Sequence, residues 1–253
     1  MSEQHEAADV AAALGLAPRG ELVAIVGGGG KTSLLFALAQ HLPGRGVMTT
    51  TTRIFAAQRS RAAEVCTLDD DWRARLDAFD SALLVVGRID GERALGVPAD
   101  LPAELLAHPR VDWVIVEADG SRMRPVKAPA EHEPVIPVGT TLLVIVVGID
   151  ALGKPIGEIA HRPERVSALT GLDPAQHLTP LALARLLTSR EGGLKNASAA
   201  RRAAILINKV ESAAELAAAR EIARHAIGAA GVERVAIGAL LGSDASRWRV
   251  YAR

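Results

Sequence analysis

Short apolar runs recur along the chain, separated by stretches in which apolar residues fall at helical spacing. The runs at 22–26 (LVAIV), 82–86 (ALLVV), 113–116 (WVIV), 142–147 (LLVIVV), 204–207 (AILI) and 232–237 have the length and β-branched content of buried parallel strands. A second strand is expected over 46–51, so that 22–51 forms a β-loop-α-β unit. Its helix, 32–41, places Leu34, Leu35, Leu38 and Leu42 on one face. Further helices are predicted over 70–79, 103–108, 179–188 and 212–226, with an alanine-rich helix over 6–16 leading into the first strand. Strands alternating with amphipathic helices predict an α/β fold with a mostly parallel sheet and helices on both faces.

Two stretches depart from this rhythm. Residues 120–139 carry Pro125, Pro129, Pro134 and Pro137, which rules out a helix or a central strand and marks a long functional loop. Residues 150–176 look irregular and read as a small helical insertion. No linker divides the chain, so residues 1–253 are expected to form one domain.

The strongest chemical signal is Ile25-Val26-Gly27-Gly28-Gly29-Gly30-Lys31-Thr32-Ser33, between a strand and a helix. Glycine backbone there can turn N–H groups around phosphate oxygens, and the helix N-terminus adds partial positive charge. Lys31 would reach the β- and γ-phosphates, Thr32 would ligate Mg²⁺ through its hydroxyl, and Ser33 opens the helix beside them. The spacing is a shortened G-x-x-G-K-T, because Ile25 stands six before Lys31. Strand, loop and helix in this order predict a three-layer P-loop NTPase-like fold that binds ATP or GTP with Mg²⁺.

Other motifs fall at strand ends, where ligands of parallel sheets bind. Of Thr49-Thr50-Thr51-Thr52, Thr52 lies nearest the loop and is expected to meet the γ-phosphate or its metal; threonine also simply favours strands. Trp113-Val114-Ile115-Val116-Glu117-Ala118-Asp119 is an apolar strand ending in acids two apart, which therefore share a face. Asp119 would ligate Mg²⁺ and Glu117 would position water, with Lys31 completing the catalytic set. The segment from Gly120 to Lys127 concentrates positive charge, either sensing the γ-phosphate, contacting an anionic substrate or covering the surface. Ile205-Leu206-Ile207-Asn208-Lys209-Val210-Glu211 resembles the N-K-x-D guanine reader of GTP-binding proteins, with glutamate in place of aspartate. Asn208, Lys209 and Glu211 are thus base-contact candidates; the competing reading has Asn208 capping the helix near Ser212.

Composition narrows the function classes. Lys+Arg and Asp+Glu both total 29, and zero net charge argues against a nucleic-acid or membrane-surface protein. Hydrophobic residues make up 49% of the 253, enough for a sizeable core. Cys66 alone forms no internal disulfide or cysteine-based zinc site, and is expected to pack as a small hydrophobe. Without cysteine partners Glu131-His132-Glu133 is a poor soft-metal site. The N-terminus lacks a signal-peptide pattern, and the longest apolar run falls far short of the ~20 residues a membrane helix needs. A soluble cytoplasmic protein is expected.

Together, segments 26–32, 49–52, 116–121, 127–137 and 208–211 resemble one family, over residues from about 22 to 211. It is the selenium-dependent hydroxylase accessory proteins, also called selenium cofactor biosynthesis proteins, of the YqeC-like type. The resemblance implies a P-loop NTPase fold and a role with a molybdenum hydroxylase or its cofactor-maturation machinery, including enzymes with labile selenium. Three functional readings follow: an NTPase acting as an accessory factor, an ATP-dependent small-molecule ligase or kinase, and a nucleotide-gated partner switch with little catalysis. ATP versus GTP, the client and the oligomeric state stay open.

Overall fold

The computed structural model describes residues 5–55, 60–241 and 248–253. β1 (His5–Ala7) and α1 (Val10–Leu14) precede β2 (Glu21–Gly27), which passes through the glycine loop into α2 (Lys31–His41). Then come β3 (Gly46–Thr50), β4 (Ile54–Phe55), β5 (Glu64–Thr67), α3 (Trp72–Ala78), β6 (Ala82–Val86), β7 (Ile89–Asp90), β8 (Arg93–Ala94) and α4 (Leu101–Ala107). β9 (Trp113–Glu117), β10 (Val126–Lys127), β11 (Leu142–Gly148), α5 (Ile156–Ile159), β12 (Ala160–His161), α6 (Pro163–Thr170) and α7 (Pro180–Thr188) follow. The chain closes with β13 (Arg202–Asn208), α8 (Ala213–Ala226), β14 (Val232–Ile237) and β15 (Trp248–Ala252).

Ten strands make one sheet in the order β1-β15-β14-β13-β11-β2-β9-β3-β6-β5. From β14 to β5 every pairing is parallel; β15 and β1 add an antiparallel edge. Alternating residues of the central strands feed opposite faces. Val23, Ile25, Val144 and Val146 pack with α1 and α2 through Leu14, Leu34 and Leu38. Val26, Ile145, Val147, Ile205 and Ile207 face the other way, onto Leu183, Leu187, Ile222 and Ala223 of α7 and α8. Leu22, Val47, Val85 and Val114 continue that second face under α3 and α4, against Trp72, Leu76, Leu101 and Leu105. Each such fully buried aliphatic side chain contributes roughly 1.5–3 kcal/mol.

Several expected boundaries moved by one or two residues because caps set them. Ser212 lies outside α8 and forms a capping box with Glu215; Thr179 caps α7 by accepting from the Ala182 N–H. The helix expected over 6–16 is instead β1 followed by α1. Asp9 accepts from the Ala12 N–H, Gly15 ends the helix in the left-handed region, and His5–Ala7 pair with β15. β5 and β15 were not anticipated from the sequence. β5 is short with mostly half-buried positions, and β15, between β1 and β14, is a five-residue segment whose apolar residues are interrupted by Arg249.

The proline-rich stretch is irregular except at Val126–Lys127, which pair in parallel with Ala160–His161. Residues 150–176 do fold as short helical turns, α5 and α6 among them. No helix among the described residues is long and apolar enough to cross a membrane.

Candidate functional site

Four parallel strands, β9, β2, β11 and β13, end at the same edge of the sheet, where Glu117 closes β9, Asn208 closes β13 and the glycine loop leaves β2. Carboxyl edges of parallel sheets are where ligands bind, at the point where connections diverge. β2 is such a point, since the chain leaves it for β3 and later returns to place β9 on one side and β11 on the other.

Glycine is required in the loop that leaves β2. Gly29 has φ +74°, and a Cβ there would stand 2.2 Å from the Gly148 nitrogen. Gly30 has φ +136°, and its Cβ would stand 2.2 Å from the Asn208 amide nitrogen. Neither backbone conformation nor space admits a side chain. α2 then begins at Lys31 with no side-chain cap, so the loop end presents an uncapped helix N-terminus.

Lys31 is buried. Its ammonium donates to the Gly27 carbonyl at 2.8 Å and lies 3.3 Å from Asp119 and 3.9 Å from Glu117. The two acids, both following the apolar part of β9, do different things. Asp119, 2% exposed, accepts from the Gly27 N–H at 3.1 and 3.2 Å and pairs with Lys127 at 2.9 Å. Glu117 instead accepts from the Thr32 hydroxyl at 2.9 Å, at the mouth of the loop. Burial pushes the Glu117 carboxyl above its ordinary range, while the Lys31 charge and the Thr32 hydrogen bond pull the other way.

Behind the loop runs a chain of ion pairs that sequence motifs did not reveal. Lys127 donates to the Gly120 carbonyl and to Glu133, both at 2.8 Å, as well as meeting Asp119. Glu133 receives a two-pronged contact from Arg162, at 2.8 and 3.1 Å. Desolvation alone would raise the Glu133 pKa, but Arg162 and Lys127 outweigh it and hold it at about 2. Glu133 is therefore engaged in this network, next to the surface residues Glu131 and His132.

The remaining candidates separate. Asn208 is 3% exposed; its amide donates to the Gly29 carbonyl at 2.8 Å and accepts from the Leu240 N–H at 3.0 Å. It fastens the glycine loop to the ends of β13 and β14, and Ser212, not Asn208, caps α8. Lys209, at φ +66°, meets Asp150 at 2.8 Å and lines the cleft. Glu211 is exposed, and the described contact it makes is its N–H donating to Glu215.

Among the threonines, Thr49 and Thr50 pair with β9, the Thr50 hydroxyl donates to the Glu117 carbonyl at 2.9 Å, and the Thr51 N–H donates to the same carbonyl at 3.1 Å. The Thr52 hydroxyl meets that of Thr50 at 3.3 Å and does not line the cleft.

That cleft, of about 380 Å³, is bounded by Gly29 to Ser33, Glu117, the Gly120–Met123 segment, Arg53, Arg93 and Lys209. Arg53 and Arg93 had no motif to announce them. Among the described residues no cluster of three or more His, Cys, Asp or Glu side chains is arranged to hold a metal. A hard cation at Thr32 and Glu117 would have to draw its other ligands from water and a bound ligand, which is how Mg²⁺ is commonly held.

Comparison with known proteins agrees with the motif pattern. A family model described as YqeC protein matches residues 23–164. A relative from Escherichia coli (strain K12), described as uncharacterized protein YqeC, is 33% identical over 202 residues, covering 78% of each chain. No solved structure matches.

Proposed function

The chain belongs to the YqeC family, and from the glycine-loop geometry we propose that it is a P-loop-type protein that binds ATP or GTP with Mg²⁺. The observation that carries this reading is the joint placement of the loop, Lys31 and Thr32 against Glu117 at the carboxyl edge of the sheet. The phosphates would lie against Gly29, Gly30, Lys31, Thr32 and Ser33. The Gly27 and Gly28 N–H groups are already given to Asp119 and to the Val146 carbonyl, so those two glycines shape the loop.

Thr32 and Glu117 offer hard oxygens 2.9 Å apart, a donor pair that fits Mg²⁺. When bound, the metal would neutralise charge on the β- and γ-phosphates. Asp119, the residue expected to ligate it, would instead hold Gly27 and Lys31 in position. Glu117 would also orient the attacking water, and Lys31 would turn from Gly27 toward phosphate oxygens. Lys209 and Glu211 would flank the base. The single-domain organisation expected from sequence belongs to the same reading.

Hydrolysis at this site would reset an accessory factor. With the family resemblance, the proposed role of such a factor is in the maturation of molybdenum hydroxylases, those carrying selenium included. Lys31→Ala is expected to abolish nucleotide binding in a calorimetric titration with Mg²⁺ present, and retained affinity overturns the proposal. The client assignment is tested by pull-down of a molybdenum hydroxylase with and without nucleotide. Nucleotide-dependent capture is expected; identical capture in both conditions removes the switch.

A further inference from the structure

A second concave surface lies at the opposite edge of the sheet from the glycine loop. It spans about 460 Å³ around the starts of β13 and β14, lined by Arg201, Arg202 and Ala203 from the first and by Ala230 and Gly231 before the second. The segment between α7 and β13 adds Arg190 and Leu194. The volume exceeds the 380 Å³ of the loop cleft and falls in the range of small-molecule sites. Its charge is one-sided, because three arginines line it and no aspartate or glutamate does. Arg202 is committed: its guanidinium donates to the Gly15 carbonyl at 2.7 Å and pairs with the buried Glu21. Arg190 and Arg201 are exposed, and among the described residues neither guanidinium has an ion-pair or hydrogen-bond partner.

The wall that carries Arg190 is held firmly. A Cβ at Gly192 or Gly193 would stand 2.3 Å from the Leu186 or Leu187 carbonyl oxygen, so this turn lies directly on the last turn of α7. Leu194 is buried, the Lys195 ammonium donates to the Glu131 carbonyl at 2.9 Å, and the Asn196 amide donates to the Pro134 carbonyl at 3.0 Å. The other end is fixed by the Arg201 N–H, which donates to the Thr140 carbonyl at 3.1 Å. Both guanidinium groups are therefore carried on anchored backbone, which lowers the ordering cost of binding.

Planar guanidinium forks match carboxylate and phosphate oxygens two at a time, which a lysine ammonium does not. Ala197, Ala200, Ala203 and Ala230 give the same cleft an apolar lining. We propose that the cleft binds a small organic anion, with its carboxylate or phosphate group between Arg190 and Arg201 and its apolar part on the alanine lining. Arg202 stays with Glu21 and shapes the wall. The site shares no residue with the loop cleft, so the inference stands independently of the nucleotide reading.

The test titrates phenyl phosphate and benzoate calorimetrically into the full chain, with benzyl alcohol as an uncharged probe of similar size. Saturable uptake of at least one anion is expected, with none of the alcohol over the same range. An Arg190→Ala/Arg201→Ala double variant is expected to weaken that uptake by about tenfold or more. Both positions are exposed, so the variant should fold; Arg201→Glu alone is expected to weaken uptake by at least as much and decides the matter if it does not. No saturable uptake of either anion by the wild type overturns the site. Undiminished uptake by the folded variant overturns it too, because the anion would then sit elsewhere, the glycine loop included. Uptake of benzyl alcohol equal to that of the anions makes the cleft merely apolar and also overturns the proposal.

Discussion

Replacing Lys127 by methionine tests the ion-pair chain behind the glycine loop. Methionine keeps most of the apolar stem and removes the ammonium, so the change isolates charge from packing. In the structure Lys127 is fully engaged, with Asp119 at 2.9 Å and with Glu133 and the Gly120 carbonyl at 2.8 Å; its side chain is 2% exposed. Breaking a buried pair commonly costs about 3–5 kcal/mol, because a charge is left uncompensated. Here each carboxylate keeps a second cation, Lys31 at 3.3 Å for Asp119 and Arg162 at 2.8 Å for Glu133. Folding of the variant also avoids desolvating an ammonium. Those offsets bring the expected loss to roughly 2–4 kcal/mol, which for a chain of this size lowers Tm by about 5–15 °C.

Urea unfolding of both proteins at neutral pH measures the difference. Asp119 accepts from the Gly27 N–H, so the variant should also bind nucleotide more weakly than its stability loss alone accounts for at saturating folded fraction. A stability change within about 0.5 kcal/mol would show that the buried chain is energetically idle and refute the reasoning.

Three further outcomes follow from the same contacts. The Glu133 pKa is lowered from 4.5 to about 2, so its stabilisation is present in full above pH 4.5 and is lost as pH falls toward 2. Glu133→Gln should therefore cost roughly 2–3 kcal/mol at pH 7 with the gap to wild type closing below pH 4.5, and a gap independent of pH between 7 and 3 sinks the assignment. Gly29→Ala should unfold at much lower urea than Gly91→Ala: both alter a positive φ, but only position 29 drives the new Cβ onto Gly148 backbone, and equal midpoints would contradict that. Asn208→Ala leaves the Gly29 carbonyl and Leu240 N–H without their partner, so ATP and GTP affinities should fall together. Selective loss of GTP would make Asn208 a base reader instead.

The central parallel strands were legible because each is apolar on both faces, as the run 142–147 is, whereas the outer parallel strand β5 is half-buried and was not. The caps were partly legible: Ser212 with Glu215 and Thr179 before Pro180 carry local signals within four residues. β15 and β1 were not, because they pair across more than two hundred residues and neither has an apolar run. Glu117 and Asp119 were found together but their division of labour was not. Strand periodicity puts both on one face, yet the chain turns after Glu117, and Asp119 ends up against Gly27 and Lys127.

The residues that sequence reading passed over share a physical cause. Arg162 meets Glu133 from 29 residues away, and Arg53 and Arg93 line the cleft from separate segments, through proximities that only the tertiary fold creates. Local motif logic sees groups that a ligand touches, since their spacing is set by one strand and one turn. It does not see the groups that hold a loop in shape, because their spacing is set by neighbouring strand ends. Asn208 belongs to both sets: it sits in an N-K-x-E string that reads as a base contact, and it spends both faces of its amide joining β13, the glycine loop and the segment after β14. Any ligand that moves the glycine loop must therefore move against Asn208 on one side and the Asp119–Lys127–Glu133–Arg162 chain on the other. If the loop holds a nucleotide as proposed, its occupancy would be felt at the proline-rich loop and at the start of α6 through the second of these, the ion-pair chain.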